Sequence, residues 1–177
     1  FVLDLTATPK KESNIISYVD AVQLKNEHMV KLPVIVYNRD SQSEVLIDAI
    51  DLRNKLEEIA NAEYAKTGKY IRPIALFQAQ PKGKEDATTF EKLRDKLVDK
   101  GIPAEQIAIR TADVNELKNT DLMSPSCPIR YIITVNALKE GWDCPFAYIL
   151  ASLANKTSQV DVEQILGRIL RLPHTSQ

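Results

Sequence analysis

Short apolar runs alternate along this chain with longer segments whose apolar residues follow helical spacing. The apolar runs are 1–5, 32–37, 74–77, 107–109, 129–135 and 146–150, and the helical segments are 20–30, 43–66, 88–100 and 158–172. Such alternation is typical of an α/β fold, in which helices cover both faces of a parallel sheet. Ligands of such sheets bind beyond the carboxyl ends of the strands, so a functional site is expected in the loops there.

Composition limits the class of protein. The length of 177 residues suits one domain or slightly more. A net charge of −1 argues against a free-standing nucleic-acid binder, but not against a lobe that adds a few contacts within a larger protein. No apolar run is long enough for a membrane span, and no signal peptide is visible. The lone Cys127 and Cys144, without a CxxC pair, argue against a zinc site and fit a reducing cytoplasm.

The segment QILGRILR has the most informative pattern. Its polar residues share one face of a predicted helix that Pro173 ends: Gln164, Gly167, Arg168 and Arg171. Two guanidiniums close together, beside a glycine that permits close approach, suit a phosphate group. A glycine inside a helix costs about 1 kcal/mol relative to alanine, so a compensating role is expected. The alternative is an amphipathic surface helix with two solvated arginines.

The segment after the run 129–135 also carries unusual residues. Gly141 indicates a backbone turn that a side chain would obstruct, and Asp143 is placed to bind a hydroxyl or to orient an arginine. In the alternative interpretation Asp143 is a solvated carboxylate and Trp142 fills the core.

Four motifs occur in the order LTATP, ALFQAQ, ALKEGWDCP and QILGRILR. They resemble motifs III, IV, V and VI of superfamily-2 helicases and translocases. The block EGWD…EQILGRILR most resembles the Res (motor) subunit of Type III restriction enzymes, and UvrB-like repair helicases, with a similar EGxDxP segment, come second. The resemblance covers essentially the whole chain, but its specific motifs lie near the two ends.

The resemblance implies a RecA-like parallel β-sheet sandwiched between α-helices, the P-loop NTPase-type fold of a helicase C-terminal domain. Members pair two such lobes, and the first lobe holds ATP and Mg²⁺ through GxxxxGK[ST] and DEAD/DEAH motifs. Neither motif occurs here. We therefore expect residues 1–9, which carry motif III, to form the end of a first lobe or the linker after it, and residues 10–177 to form the second lobe. We also expect the chain to be a piece of a larger protein and to be inactive by itself.

The resemblance also assigns roles to residues. Arg168 and Arg171 resemble arginine fingers, each worth a factor of about 10³–10⁵ in rate. Gln164 resembles the motif VI glutamine near the γ-phosphate or the attacking water. Gly141 and Asp143 resemble the motif V pair that touches the nucleotide and communicates with the arginine fingers.

Two further groups of residues are expected to act outside the nucleotide site. Thr6 and Thr8 resemble the motif III hydroxyls that couple the nucleotide cleft to the DNA channel. The expected contacts to the nucleic-acid backbone are Gln78, Thr111, Thr134 and Lys139. The alternative is that these side chains cap loops or are solvated, and solvation is favoured for Lys82 and Lys84.

The expected function is therefore the second motor lobe of an ATP-dependent DNA translocase. Its partners would be double-stranded DNA, the first lobe and, in a restriction system, a modification methyltransferase. One departure is Leu170, where the usual motif VI has a small residue, and no PD…ExK nuclease signature follows.

Two other classes of function are alternatives to a motor lobe. A nucleotide-fold binding module that lost catalysis would not need the arginines or Asp143. A small-molecule enzyme with Cys144 as nucleophile and His28 as base lacks a positive neighbour to activate the thiol.

Overall fold

The structure, a computed structural model, describes residues 41–80, 88–135 and 144–153. Its elements are α1 (Gln42–Thr67), β1 (Ile74–Ala79), α2 (Phe90–Asp99), a 3₁₀ turn (Ala104–Gln106), β2 (Ile107–Arg110), β3 (Tyr131–Val135) and β4 (Ala147–Ser152). The strands form a four-stranded sheet in the order β2-β3-β1-β4, and every neighbouring pair is parallel. The predicted α/β class is confirmed. The predicted elements at 1–5, 20–30, 32–37 and 158–172 lie outside the described residues.

Both helices begin and end as the local sequence predicts. The Ser41 side chain accepts a hydrogen bond from the Ser43 amide at the start of α1, and Gly68 ends the helix in the left-handed region with φ 71°. The Thr89 side chain caps α2, and Gly101 follows that helix with φ 86°. Glycine adopts such backbone angles more easily than residues with a Cβ atom, so Gly68 and Gly101 mark the two helix ends in the sequence.

The two faces of the sheet are packed differently. One face, here called the helix face, packs against Leu46 and Ala49 of α1 and against Leu93 and Leu97 of α2. The opposite face, here called the loop face, is covered mainly by residues from connecting segments, and these are Leu117, Cys144, Phe146, Tyr70, Ile71, Leu122, Met123 and Ile129. Within the described residues, helices therefore cover one face of the sheet. Cys127 and Cys144 are both buried.

Residues 113–118, whose sequence suggests one or two helical turns, are not helical in the structure. Asn115 instead forms an antiparallel bridge with Arg110, and the Glu116 amide donates to the Ile109 carbonyl over 3.0 Å. The Glu116 carboxylate accepts from the Ile109 amide over 2.8 Å. Among the described strands β2 lies at the end of the order, and its backbone groups on the side away from β3 find partners in this local turn.

A buried arginine joins α1 to β3. The Arg53 Nε donates to the Tyr131 hydroxyl over 3.1 Å, and its guanidinium also pairs with Glu57 one turn along the helix. Glu57 in turn accepts a hydrogen bond over 3.0 Å and an ion pair of 2.8 Å from Arg130. Burial raises the pKa of Glu57, but the hydrogen bonds and charges of Arg130 and Arg53 outweigh burial and hold that pKa below its ordinary value.

A second buried arginine organises the amino end of the sheet. Arg72 donates to the carbonyl oxygens of Ile129 over 2.8 Å, Ser124 over 2.9 Å and Leu122 over 2.5 Å. Its guanidinium also lies 5.8 Å from the centre of the Phe146 ring. These contacts fasten the connection before β3 to the start of β1, because a planar fork can reach several acceptors at once.

We predict that Glu57→Gln lowers the free energy of unfolding by about 1–2 kcal/mol at neutral pH, because it removes a charged acceptor between two guanidiniums. Since the folded pKa is lowered, the carboxylate stabilises the fold above the pKa of the unfolded chain, about 4.3, and this contribution disappears as pH falls through the folded pKa. Urea unfolding of both proteins at a series of pH values measures the difference. The exposed neighbour Glu58→Gln is the control and should change stability by less than about 0.5 kcal/mol. A difference for Glu57→Gln that does not change with pH would contradict the prediction.

We further predict that Arg72→Lys costs about 2–3 kcal/mol of unfolding free energy. The single nitrogen of an ammonium group cannot take the place of the three guanidinium nitrogens that reach three separate carbonyl oxygens. Arg94→Lys is the matched control, since Arg94 is partly exposed in its pair with Glu116; it should cost less than about 1 kcal/mol. Equal losses in urea unfolding would show that the buried fork has no special role.

Candidate functional site

The carboxyl ends of the four strands meet at one edge of the sheet, because all strand pairs are parallel. At this edge Arg110 is in register with Thr134, Thr134 with Gln78, and Gln78 with Ser152. We call these four residues the polar row. Neighbouring members are separated by one strand spacing, about 4.8 Å. The sheet therefore assembles one line of polar side chains from four separate parts of the chain.

The polar row marks a sharp change of side-chain chemistry on the loop face. Two residues earlier along each strand, the corresponding residues are Ala108, Ile132, Leu76 and Leu150. That row is apolar and lies in the core beneath the loop face. The centre of the polar row is nevertheless buried as well, with Thr134 exposed to only 1% and Gln78 to 6%. Burial of polar groups has a cost, so these two need an explanation.

Thr134 has the most unusual environment in the polar row. Its Oγ1 is buried and makes no hydrogen bond to any described residue. A buried hydroxyl left unpaired costs about 1–3 kcal/mol, and nearly all such groups in folded proteins have a partner. A bound group that forms the missing hydrogen bond would remove this cost.

Gln78 lies inside β1, one residue beyond the apolar run 74–77 from which the strand was predicted. Its Oε1 accepts a hydrogen bond from the Ser152 hydroxyl over 3.0 Å. The backbone oxygen of Gln78 accepts from the Leu153 amide over 2.9 Å. Among the described residues, none accepts a hydrogen bond from the Gln78 Nε2. The amide donors of Gln78 are therefore available beside the unpaired hydroxyl of Thr134.

Thr111 follows β2 directly but uses its polar groups locally. Its hydroxyl oxygen accepts from the Val114 amide over 3.0 Å, and its own amide donates to the Val114 carbonyl over 2.7 Å. A hydroxyl that organises a turn is the alternative to a nucleic-acid contact at this position. A role of Thr111 in nucleic-acid contact stays a prediction.

The remaining predicted site residues lie outside the described residues. They are Thr6, Thr8, Lys139, Gly141, Asp143, Gln164, Arg168 and Arg171. In the sequence, the segment with Gly141 and Asp143 follows β3, and the arginine segment follows β4. Their roles stay predictions.

Arg110 and Ser152 are members of the polar row that sequence reasoning missed. The Arg110 side chain donates to the Thr111 carbonyl over 2.9 Å and makes no ion pair with a described carboxylate. Both residues stand at the last position of their strands. A polar residue that ends an apolar run was the available signal, but only the strand register shows that the four residues form one line.

Gln80, directly after β1, forms hydrogen bonds with Thr88 and Leu153. Its Oε1 accepts from the Thr88 amide over 3.0 Å, and its Nε2 donates to the Leu153 carbonyl over 2.9 Å. The Gln80 and Thr88 backbones also pair directly over 2.9 Å. Gln80 therefore uses its amide to hold strand ends together, unlike the amide of Gln78.

The described ranges contain neither a cluster of metal-ligating side chains nor a membrane-spanning helix. In residues 41–80, 88–135 and 144–153, no group of three or more histidine, cysteine, aspartate or glutamate side chains is placed to hold a metal ion. Neither helix in these ranges combines the length and the apolar character needed to cross a membrane.

We predict that Thr134→Val raises the free energy of unfolding by about 0.5–1.5 kcal/mol, because it replaces an unpaired buried hydroxyl with a methyl group of similar size. Thr88→Val is the control: Thr88 is 5% exposed, and its hydroxyl donates to Gln42 Oε1 over 2.8 Å. That variant should lose about 1 kcal/mol in the same urea titration. A similar loss for both variants would show that the Thr134 hydroxyl has a partner within the folded protein.

Comparison with known proteins does not place this chain in a family. No protein-family model, no curated protein and no solved structure matches it. The case for a function therefore rests on the parallel sheet, the polar row and the sequence motifs that flank them.

Proposed function

We propose that this chain is the second motor lobe of an ATP-dependent DNA helicase or translocase, and specifically of the Res subunit of a Type III restriction enzyme. The observation that carries the proposal is the polar row, with its unpaired Thr134 hydroxyl, at the ligand edge of an all-parallel sheet. The sequence adds the motif V-like segment directly after β3 and the motif VI-like segment after β4. A RecA-like arrangement of the whole lobe is part of this proposal.

The polar row suits the backbone of DNA better than its bases. Hydroxyl and amide groups donate hydrogen bonds to phosphate oxygens, and such contacts position DNA without reading its sequence. Arg110 at the end of the row adds one positive charge. The chain has a net charge of −1, so we expect few of its cationic side chains to contact DNA phosphates. Affinity for DNA should then depend only weakly on salt, because the slope of log K against log salt is about −0.9 for each phosphate that is neutralised. Weak, sequence-independent contacts are what a moving motor requires.

The residues outside the described ranges would supply the nucleotide chemistry. In this proposal ATP and Mg²⁺ are held mainly by a first RecA-like lobe. Arg168 and Arg171 would reach across the cleft and stabilise negative charge on the γ-phosphoryl group during transfer. Gln164 would orient the attacking water, and Asp143 would contact the nucleotide from the motif V segment.

Movement of DNA would follow from closure and opening of the two lobes. A cleft that closes on ATP and opens after hydrolysis shifts one lobe relative to the other. Thr6 and Thr8, at the junction of the lobes in this proposal, would couple the cleft to the DNA channel. Since the polar row lies on the second lobe, its phosphate contacts would move with that lobe.

The EGWDCP segment also favours a second candidate, a lobe of a UvrB-like repair helicase. The mechanism of the lobe would be the same, but its partners would differ. A methyltransferase gene beside the parent gene and a nuclease domain in the parent protein would support the restriction motor. Their absence would favour the repair helicase.

We predict that Arg168→Ala and Arg171→Ala, in the protein that joins this chain to its first lobe, each lower DNA-stimulated ATP hydrolysis by about 10³-fold or more. Binding of a fluorescent ATP analogue should change little, because the first lobe holds the phosphates. Arg94→Ala is the control, since Arg94 donates to the Ile107 carbonyl at the amino end of β2, away from the ligand edge. The chain alone should show no ATPase activity. Normal turnover by either finger variant would contradict the assignment.

A further inference from the structure

Gln80 spends both ends of its side-chain amide on backbone groups of other elements. It is 8% exposed. Its Oε1 accepts from the Thr88 amide just before α2, and its Nε2 donates to the Leu153 carbonyl just after β4. A backbone amide only donates and a backbone carbonyl only accepts. The two partners therefore fix the orientation of the Gln80 amide, because a turned amide would set donor against donor and acceptor against acceptor.

Leu153, the first residue beyond β4, is held through its amide, its carbonyl and its side chain. Its amide donates to the Gln78 carbonyl over 2.9 Å, and its carbonyl accepts from Gln80 over the same distance. Its side chain is 4% exposed and packs in the core of the helix face. A carbonyl beyond the last pair of a strand needs a partner from elsewhere, and Gln80 supplies it. The place where the chain leaves β4 is therefore set by the end of β1.

The same junction includes the starts of both helices. The Gln80 amide donates to the Thr88 carbonyl over 2.9 Å, and the Thr88 hydroxyl donates to Oε1 of Gln42, the first residue of α1, over 2.8 Å. The end of β4 is thus fixed relative to β1, α1 and α2 together. Gln80 is the side chain that connects it to them.

The position of this strand end has a consequence for the proposed motor. After β4 the sequence continues to Arg168 and Arg171. As fingers they would act on a nucleotide that another lobe holds, so their reach depends on where their segment begins. A displacement of about 1 Å at reacting groups can lower a rate by about 10²-fold, even when its cause is far from the chemistry. Binding of ATP by the first lobe does not depend on this geometry.

We propose that Gln80 is a positioning residue, which fixes the end of β4 so that the arginine segment begins where Arg168 and Arg171 reach the γ-phosphoryl group. The effect on hydrolysis rests on the proposed function. The fixing of Leu153 rests on the described contacts alone.

The test compares Gln80→Met with Thr88→Val in the protein that joins this chain to its first lobe. Methionine has nearly the length of glutamine but makes neither hydrogen bond. Gln80→Met should lower kcat for DNA-stimulated ATP hydrolysis by about 10- to 100-fold and change KM for ATP by less than about twofold. Thr88→Val removes the bond to Gln42 at the same junction, leaves the Leu153 contact in place and should keep the wild-type kcat. Equal losses of kcat in both variants would overturn the proposal.

Gln80→Asn is a second variant, which decides the question if Gln80→Met does not fold. Its amide is one methylene group shorter and cannot reach both backbone partners. It should show the same fall of kcat at constant KM. A raised KM with an unchanged kcat would mean that Gln80 affects ATP binding instead, and would overturn the positioning role.

A background without the fingers shows whether Gln80 acts through them. When Arg168→Ala and Arg171→Ala are combined, adding Gln80→Met should cause no further loss of single-turnover hydrolysis. A further loss as large as in the wild-type background would mean that Gln80 acts by another route, and would overturn the proposal.

Hydrogen exchange separates this inference from the proposed function. Gln80→Met should speed exchange in peptides that cover residues 147–153, whereas Thr88→Val should not. Unchanged exchange there in Gln80→Met would overturn the positioning role even if kcat falls. A wild-type protein that does not hydrolyse ATP would overturn the proposed function and the effect on hydrolysis, and the exchange at β4 would still decide whether Gln80 fixes the strand end.

Discussion

Parallel pairing of the strands is the constraint on which the rest of the structure depends. In a parallel sheet every strand enters at one edge and leaves at the other, so residues far apart in sequence meet at both edges. Thr134 and Gln78 are separated along the chain by a helix and by β2, yet their Cα atoms are partners in the ladder. A shift of register by one residue would turn the polar side chains to the helix face and apolar ones to the loop face.

Buried polar groups are paired at the amino end of the sheet but not all of them are paired at its carboxyl end. At the amino end, the buried Arg72 satisfies its donors with three carbonyl oxygens, and beside it Arg53 is satisfied by Tyr131 and Glu57. At the carboxyl end, Thr134 is buried without a partner among the described residues. A buried hydrogen-bond network whose groups are all paired makes the structure rigid, whereas one with an unpaired group lowers the stability of the fold. Proteins tolerate such a loss of stability chiefly at functional sites, where a ligand can pair with the unpaired group.

Local chemistry explains how much of the fold could be predicted. The ends of α1 and α2 follow from Ser41, Gly68, Thr89 and Gly101, whose effects act within a few residues. The strands were predictable because their residues are buried on both faces and form continuous apolar runs.

The errors and omissions have nonlocal causes. Gln78 looks like a loop residue because a polar side chain rarely ends a buried strand, and only the neighbouring strands explain its place. Asp113–Lys118 has helix-forming residues, but the need of β2 for backbone partners decides its conformation. Ser152 and Arg110 carried no pattern of their own, and their connection with Thr134 and Gln78 exists only in the register. The sequence therefore predicted that the candidate site lies at the carboxyl ends of the strands, but not which residues form it.

The turn that completes β2 also affects how the chain reaches its native state. Glu116 is only seven residues beyond Ile109, so this closure requires little loop entropy and can form as soon as β2 does. Pairing with β3, by contrast, must wait for a more distant part of the chain. Early closure shields one side of β2 from other unfolded molecules, which would otherwise add their own strands there and aggregate.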